Sequence, residues 1–457
     1  MLIPSVFREY DIRGVAERDL PSDGVLLLGQ AVGTLLRRRG GKRAQVGADC
    51  RLSSPRLREA IISGFRRAGC DVEDLGTVPT PVTYHSVLRS GADGGVMVTG
   101  SHNPSDYNGF KVMVGQTTIH GEEIQHLRHM METGDLEEGA GALTQVDAVT
   151  PYVEDIAARF AFPTRTKVVF DGGNGTAGPV LQRLLERLNV DPVAMYFDMD
   201  GRFPNHHPDP TVPEFLTHLQ EAVRASGAAL GIAFDGDSDR IGAVDEQGNV
   251  VYGDMLMLIF AREILKQQPG ATFIGEVKCS QILYDRLAEL GGKPIMWKTG
   301  HSLIKAKMKE EHAALAGEMS GHMFFGDRYY GYDDALYAAL RLVEVVSASG
   351  QPLSAQLADI PRTFTTPELR MDSEDHVKFA VVAETARLLK ERGEKVIEID
   401  GARVLFERGW GLVRASNTQP VLVMRFEAES PEDLVAYQQK LETTLAEASA
   451  AVTPPLL

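Results

Sequence analysis

Cysteine is scarce. Cys50, Cys70 and Cys279 are the only three in 457 residues, far apart and without a CxxC pair, which argues against a disulfide framework or a zinc ribbon and points to a reducing cytoplasm. Basic residues are in the minority: 47 Lys plus Arg against 63 Asp plus Glu give a net charge of -16. A sequence-independent grip on nucleic acid is therefore not expected, and an anionic ligand must be held by local cations. Long apolar runs are missing too. The stretch Met255 to Ala261, among the longest, is far below the roughly 20 residues needed to cross a bilayer. MLIPSVFREYD at the N-terminus has an acid by its ninth residue, so neither a targeting leader nor a membrane partner is expected.

What is present is an ordinary globular composition, 43% apolar and 24% charged, with 45 Gly and 23 Pro scattered along the chain. Disorder, collagen and coiled coil are excluded. The length is about three times the ~150 residues of one domain. From Arg43 short β-rich runs alternate with amphipathic helical stretches, the pattern of α/β architecture. Strands are expected near Ala44–Ala48, Val72–Leu75 and Gly95–Val98, with helices beginning near Pro55 and Pro81. A second set falls near Lys167–Phe170, Val193–Phe197 and Ala229–Phe234, and a third near Thr272–Gly275, Pro294–Trp297 and Ala313–Ala316. These β-α-β-α-β units form a weak repeat of about 100 residues. After Pro361 a helix near Phe379–Arg392, β-rich runs and a final helix from Pro431 read as α+β. The expected architecture is three similar mixed α/β domains, 1–147, 148–249 and 250–361, plus a C-terminal α+β domain, 362–457.

Three polar motifs each follow the third strand of a unit. Ligands collect beyond the carboxyl ends of such strands, so the three loops are expected to converge on a central cleft. In DGDSDR, Asp235, Asp237 and Asp239 stand at alternate positions, and acids so close ask for a hard divalent cation. Glu246 at the twelfth position suggests an EF-hand, but Arg240 stands at the sixth, where that loop needs Gly. Beside a metal site, Arg240 is placed to meet phosphate oxygens. TGSHNP exposes Ser101 without the GxSxG of a hydrolase elbow, which demotes acyl transfer. On the motif alone Ser101 reads equally as a capping serine before a turn, and paired with DGDSDR it reads as a nucleophile that could carry a phosphoryl group whose oxygens complete a metal site. Lys111, reached through a short polar loop containing Tyr107 and Asn108, could offset charge or accept a proton. GEMSGH offers Glu318, Ser320 and His322 for sugar hydroxyls, and RASNTQP offers Arg414, Ser416, Asn417 and Thr418 as a dianion cradle.

Other motifs are set aside. Gly173 to Gly178 spells GxGxxG, with Asp198 following 20 residues later, yet it sits in the middle unit with Asp171 before it, so turn geometry is the preferred reading over nucleotide binding. His206 and His207 on an extended segment point apart, which argues for a structural loop. Arg37, Arg38 and Arg39 end a helix from Ser22, where cations complement the dipole.

FREYDIRG (Phe7–Gly14), TGSHNP, DGDSDR, GEMSGH and RASNTQP, in this order across essentially the whole chain, resemble the α-D-phosphohexomutase family. The wording is nearest its bacterial phosphomannomutase/phosphoglucomutase branch, because phosphoglucosamine mutases typically carry Ala where Ser238 stands. The resemblance implies a phosphorylated Ser101, with Mg²⁺ bound by Asp235, Asp237, Asp239 and a phosphoserine oxygen. It implies Arg240, Lys111, His102 and Arg13 around the transferring group, with Tyr10 nearby. Glu318 and Ser320 would hold sugar hydroxyls; Lys278, Gly300, His301 and His322 would line the pocket, the two histidines assisting proton transfer. Arg414, Ser416, Asn417 and Thr418 would clamp the other phosphate. The activity implied is interconversion of hexose 1- and 6-phosphates through a hexose 1,6-bisphosphate, in a cytoplasmic monomer, with a dimer left open. Phosphoglucosamine mutase, a metal-dependent sugar phosphatase and a non-catalytic sugar-phosphate binder are the alternatives.

Overall fold

The computed structural model describes residues 1–417 and 420–452. In the first unit Arg43–Ala48, Asp71–Thr77 and Gly94–Val98 pair in parallel, with Arg43–Ala48 in the centre. Tyr107–Val114 adds antiparallel to Gly94–Val98, and Ile12–Val15 adds beyond it. The second unit repeats the order with Leu230–Phe234, Thr166–Asp171 and Val190–Met195 parallel and Ile241–Asp245 antiparallel on the outside. The third does so with Leu315–Gly317, Thr272–Glu276, Lys293–Trp297 and the antiparallel Met323–Phe325. Each polar motif thus bridges the third parallel strand and an antiparallel return. The fourth unit is an antiparallel sheet through Lys395–Ile397, Ala402–Phe406, Gly409–Ala415 and Val421–Ala428, extended by Phe364–Thr365 and Leu369–Asp372.

The returns depart from the sequence expectation. Tyr107 and Asn108 begin a strand and are not a polar loop, so Lys111 is aimed by a sheet. Asn108 and Gly109 interrupt the apolar alternation there, and a Cβ on Gly109 would lie 2.4 Å from the Ile12 carbonyl oxygen, so the close approach of the neighbouring strand demands the glycine. The strand expected at Val193–Phe197 occupies Val190–Met195, because Tyr196 turns out of the sheet with a φ of 52°. The strand expected at Ala313–Ala316 occupies Leu315–Gly317, after His312 closes the preceding helix in the left-handed conformation. A 3-10 turn at Pro213–Leu216 precedes the helix Thr217–Ser226.

One hydrophobic core runs through the second and third units and takes in Val82, Tyr84 and Met113 of the first. The first unit adds a core of its own, built on Ser22–Arg38, Ser54–Arg67 and the central strands. The fourth unit has a separate core and meets the third through a small cluster of Val277, Trp410 and Leu412. Among the described residues no helix is long and apolar enough to cross a membrane.

A polar knot joins the second and third units. Asp334 caps the helix Ala335–Ser349 by accepting from the Tyr337 amide at 2.8 Å, and it accepts from the hydroxyls of Tyr152 at 2.9 Å and Tyr329 at 2.7 Å. Burial pushes its carboxyl from an ordinary 3.8 up to about 6. The folded protein therefore keeps a proton there that the unfolded chain has lost, and stability falls as pH rises across that window. Relative to Asp334→Asn, which cannot ionise, the wild type is expected to gain about 1.4 kcal/mol per unit between roughly pH 6 and pH 4. Urea unfolding of both proteins across that range measures it; a pH-independent difference would remove the assignment.

Candidate active site

The loops meet at a cavity of about 890 Å³. Ser101 has a φ of 48°, a left-handed backbone that costs a residue with a Cβ about 1–2 kcal/mol. That conformation is braced by Thr99, whose Oγ1 accepts from the Ser101 amide at 2.8 Å. Ser101 Oγ donates to Asp235 Oδ2 at 2.6 Å across 134 residues of sequence. The phosphoryl-carrier candidate and the acidic motif therefore occupy one place.

Asp235, Asp237 and Asp239 are fully buried, each with a carboxylate oxygen within 4.8 Å of the others. Burial, then Asp237 and Asp239, push the Asp235 carboxyl well above the carboxylate range. Lys111 Nζ donates to Asp237 Oδ2 at 2.8 Å and to Asp239, and Thr80 Oγ1 donates to Asp237 at 2.6 Å. Burial works against the Lys111 charge, but the two aspartates outweigh it and hold the ammonium well above its ordinary value. One ammonium among three carboxylates leaves negative charge over, and Asp237 Oδ1 and Asp239 Oδ1 are buried without a hydrogen-bond donor. Hard oxygen ligands with spare lone pairs in a dry pocket fit a divalent cation.

Every residue named from sequence as catalytic lines the cavity, as do Tyr10, Lys278, Gly300, Glu318, Ser320, Arg414 and Ser416. The aspartates lie behind that lining. Asn417 is not among the lining residues, and Thr418 falls outside the described residues. Glu318 accepts from the Gly300 amide at 2.7 Å and from Ser320 Oγ at 2.9 Å. Burial would raise its carboxyl, but His322, Lys278 and that amide hold it below its usual value. His322 Nε2 accepts from Arg240 Nε at 2.9 Å, while its Nδ1 lies 3.2 Å from Asp333 Oδ2. Burial and neighbouring cations keep His102 and His301 well below the ordinary histidine range. Arg13 pairs with Asp11 at 2.6 Å. Burial disfavours the Lys278 charge, yet Glu368 at 3.2 Å and two further acids restore it.

Four family profiles match in sequence order: phosphoglucomutase/phosphomannomutase alpha/beta/alpha domain I over 4–138, domain II over 150–248, domain III over 252–364, and the C-terminal domain over 368–443. A phosphomannomutase/phosphoglucomutase of Pseudomonas aeruginosa is 45% identical over 430 residues, covering 94% of this chain and 93% of the relative. The chain belongs to the phosphoglucomutase/phosphomannomutase family. A phosphoglucomutase of Neisseria meningitidis is 41% identical over 446 residues, with 96% of both chains covered. The crystal structure of a phosphoglucomutase/phosphomannomutase family protein from Burkholderia thailandensis superposes with a TM-score of 0.93 at 42% identity, covering 100% of both chains. Membership makes the protein a mutase, an isomerase.

Sequence reasoning missed the acids that aim this phosphohexomutase site. Glu276 accepts from the Lys278 amide at 2.7 Å, Thr299 Oγ1 at 2.9 Å and the Met319 amide at 3.3 Å, tying three loops of the third unit together. Asp400 accepts from the Thr299 amide at 3.0 Å and lies 3.0 Å from Arg414 Nη2. The internal repeat holds the signal that finds some of them. Asp49, Asp171 and Glu276 stand at the end of the first parallel strand of each unit, and each accepts from the amide two residues on, at 3.0, 2.9 and 2.7 Å. His206 and His207 serve the loops as well: His206 pairs with Asp171 at 2.9 Å and His207 holds the His102 carbonyl.

Lys111→Met removes the ammonium that donates to Asp237 and Asp239. Like-charge repulsion then rises, so the variant is expected to unfold at lower temperature and to be stabilised more than wild type by added magnesium chloride. Each tenfold gain in affinity adds about 1.4 kcal/mol under excess metal. Thermal unfolding with and without the salt tests this; an upshift no larger than wild type would count against a cation site at these carboxylates.

Proposed function

We propose that the protein interconverts hexose 1-phosphates and hexose 6-phosphates of the mannose or glucose series through a phosphorylated Ser101 and a hexose 1,6-bisphosphate. The observation that carries this reading is Ser101 Oγ at 2.6 Å from Asp235 on the wall of a cation-rich cavity. Asp235, Asp237, Asp239 and an oxygen of phosphoserine would hold Mg²⁺, which supplies positive charge against the transferring phosphoryl group.

Phosphoryl transfer asks the protein for alignment and charge cancellation. The phosphoryl group leaves Ser101 Oγ for a free sugar hydroxyl, whose proton passes to a base. His301 and His322 both line the cavity and would assist that proton transfer. Glu318 and Ser320 grip adjacent sugar hydroxyls with Gly300 and Lys278 beside them, and Arg414 with Ser416, Asn417 and Thr418 holds the phosphate that is not reacting. Lys111, Arg13 and Arg240 offset the moving charge, His102 stands 3.2 Å from Ser101 Oγ as a neutral hydrogen-bonding neighbour, and His301 and Tyr10 close the pocket edge. The bisphosphate then exchanges its ends between the two phosphate positions and returns the second phosphate to Ser101. Added hexose 1,6-bisphosphate primes an unphosphorylated enzyme.

The working bodies under this reading are 1–147, 148–249, 250–361 and 362–457, the last swinging on residues near Pro361 to Thr366. Its separate core supports that motion. Small-angle scattering is expected to show compaction when glucose 1,6-bisphosphate is added; an unchanged radius of gyration would speak against a moving fourth domain.

Ser101→Ala is expected to lower turnover of glucose 1-phosphate and mannose 1-phosphate by roughly 10³-fold or more while leaving the thermal midpoint close to wild type. A coupled assay for sugar 6-phosphate run beside one for inorganic phosphate separates mutase from phosphatase. Full activity in Ser101→Ala, or phosphate as the main product, overturns the reading.

A further inference from the structure

The loop bearing Ser101 is held from behind by a side chain that is not among the residues lining the cavity. Arg51 is 1% exposed, and its guanidinium donates to four carbonyls of this loop and the strand start beyond it. Nη2 reaches the Ser101 carbonyl at 2.7 Å and that of Asn103 at 2.6 Å, and Nη1 reaches Tyr107 at 3.0 Å and Pro104. His207, from the second unit, takes the intervening His102 carbonyl. The backbone from Ser101 to Pro104 is thus tied back at every residue.

Arg51 is itself fixed. Its Nε lies 3.2 Å from Asp49 Oδ2, and Asp49 also accepts from Thr99 Oγ1 at 2.9 Å, the Gly100 amide at 3.1 Å and the Arg51 amide at 3.0 Å. The Phe203 ring of the second unit packs against the guanidinium, 5.3 Å from ring centre to Cζ. A buried charge is a poor way to stabilise a turn, since an apolar side chain of similar volume avoids the desolvation. The planar fork serves several acceptors at once, which an ammonium on a flexible stem does not. What the loop requires is a strained residue, Ser101 at a φ of 48°, kept where its Oγ meets Asp235. Such strain persists only where surrounding contacts over-determine it.

We propose that Arg51 is a positioning residue for phosphoryl transfer, holding Ser101 Oγ against the aspartates by gathering the carbonyls of Ser101, Asn103, Pro104 and Tyr107. The inference rests on the reading that Ser101 carries the phosphoryl group. It separates chemistry from binding. Glu318, Ser320 and Arg414, assigned to the substrate, stand on other loops, so losing the fork misplaces the transferring group and leaves those grips in place.

Arg51→Lys keeps the charge and loses the fork; Arg51→Met loses both. With glucose 1-phosphate, saturating magnesium and a trace of glucose 1,6-bisphosphate, Arg51→Lys is expected to lower kcat by about 30-fold or more, in line with the cost of ångström-scale misplacement, and Arg51→Met further. KM is expected to stay within about threefold, because uniform binding is untouched. Wild-type kcat per folded molecule in Arg51→Lys, or a rise in KM matching the fall in kcat, overturns the proposal. If Arg51→Lys does not fold, Phe203→Leu decides, since it loosens the guanidinium without removing it. A fall in kcat of about threefold at unchanged KM supports the proposal, and wild-type kcat overturns it. Ser101→Ala in the same series keeps the two readings apart: loss of turnover there with an active Arg51→Lys defeats the role of Arg51 alone, whereas an active Ser101→Ala defeats the phosphoserine reading.

Discussion

Asp235, Asp237 and Asp239 crowd like charge into a dry pocket, and much of the architecture around the cavity answers that crowding. An isolated buried carboxylate would take a proton, and three together raise one another's affinity for it. Here the first unit supplies the relief: Lys111 and Thr80 donate to Asp237, Lys111 also to Asp239, and Ser101 to Asp235. The second unit brings the charge and the first brings the donors. The interface between them is thus both a structural seam and the candidate reaction centre, at the wall of the cavity.

The internal repeat makes the convergence possible. In each of the first three units the central strand is followed by a parallel strand on either side, and the chain leaves the last of these into a short loop that an antiparallel strand then returns. Such a return fixes both ends of the loop to the sheet edge, so Ser101, the aspartates and Glu318 are presented by tight connections rather than long ones. The acids at the ends of the central strands, Asp49, Asp171 and Glu276, face the same edge and take up amides that would otherwise be orphaned there.

The parallel strands and the motif loops were legible because both are local: apolar runs of the right length, then a cluster of polar residues with a spacing that physical chemistry restricts. Tyr107–Val114 was not, because Asn108 and Gly109 break its alternation for a reason that lies in another strand, the approach of Ile12. Arg51, Glu276, Asp333 and Asp400 escaped for a related cause. A single charged residue after a β-rich run carries no spacing, and its partners stand far away in sequence, as Arg51 does from Ser101. Reading the three units against one another recovers Asp49, Asp171 and Glu276, since an acid recurs at the same strand end. Nothing comparable marks Asp333 or Asp400, which act between elements that no repeat relates.

The cations assigned to substrate are not waiting with empty hands. Lys278 is paired with Glu368, Arg414 with Asp400, and Arg13 with Asp11 and Asn103. Glu368 is held down to about 2 by the Lys278 charge, so it is a carboxylate at any ordinary pH and a real competitor for the ammonium. A sugar phosphate entering the cavity therefore exchanges partners with these groups and does not meet a bare charge. The exchange lowers ground-state affinity, because breaking an internal pair offsets much of what the new contact contributes. Under the proposed reading, in which an intermediate lets go of one end, turns and is gripped by the other, that restraint is an advantage: tight ground-state binding would slow the turn, while interactions that strengthen only as charge moves between phosphate and hydroxyl accelerate the chemistry. Lys278 with Glu368, and the Thr299 amide with Asp400, also join the third unit to the fourth, so release of Lys278 from Glu368 loosens the seam on which the fourth unit would swing.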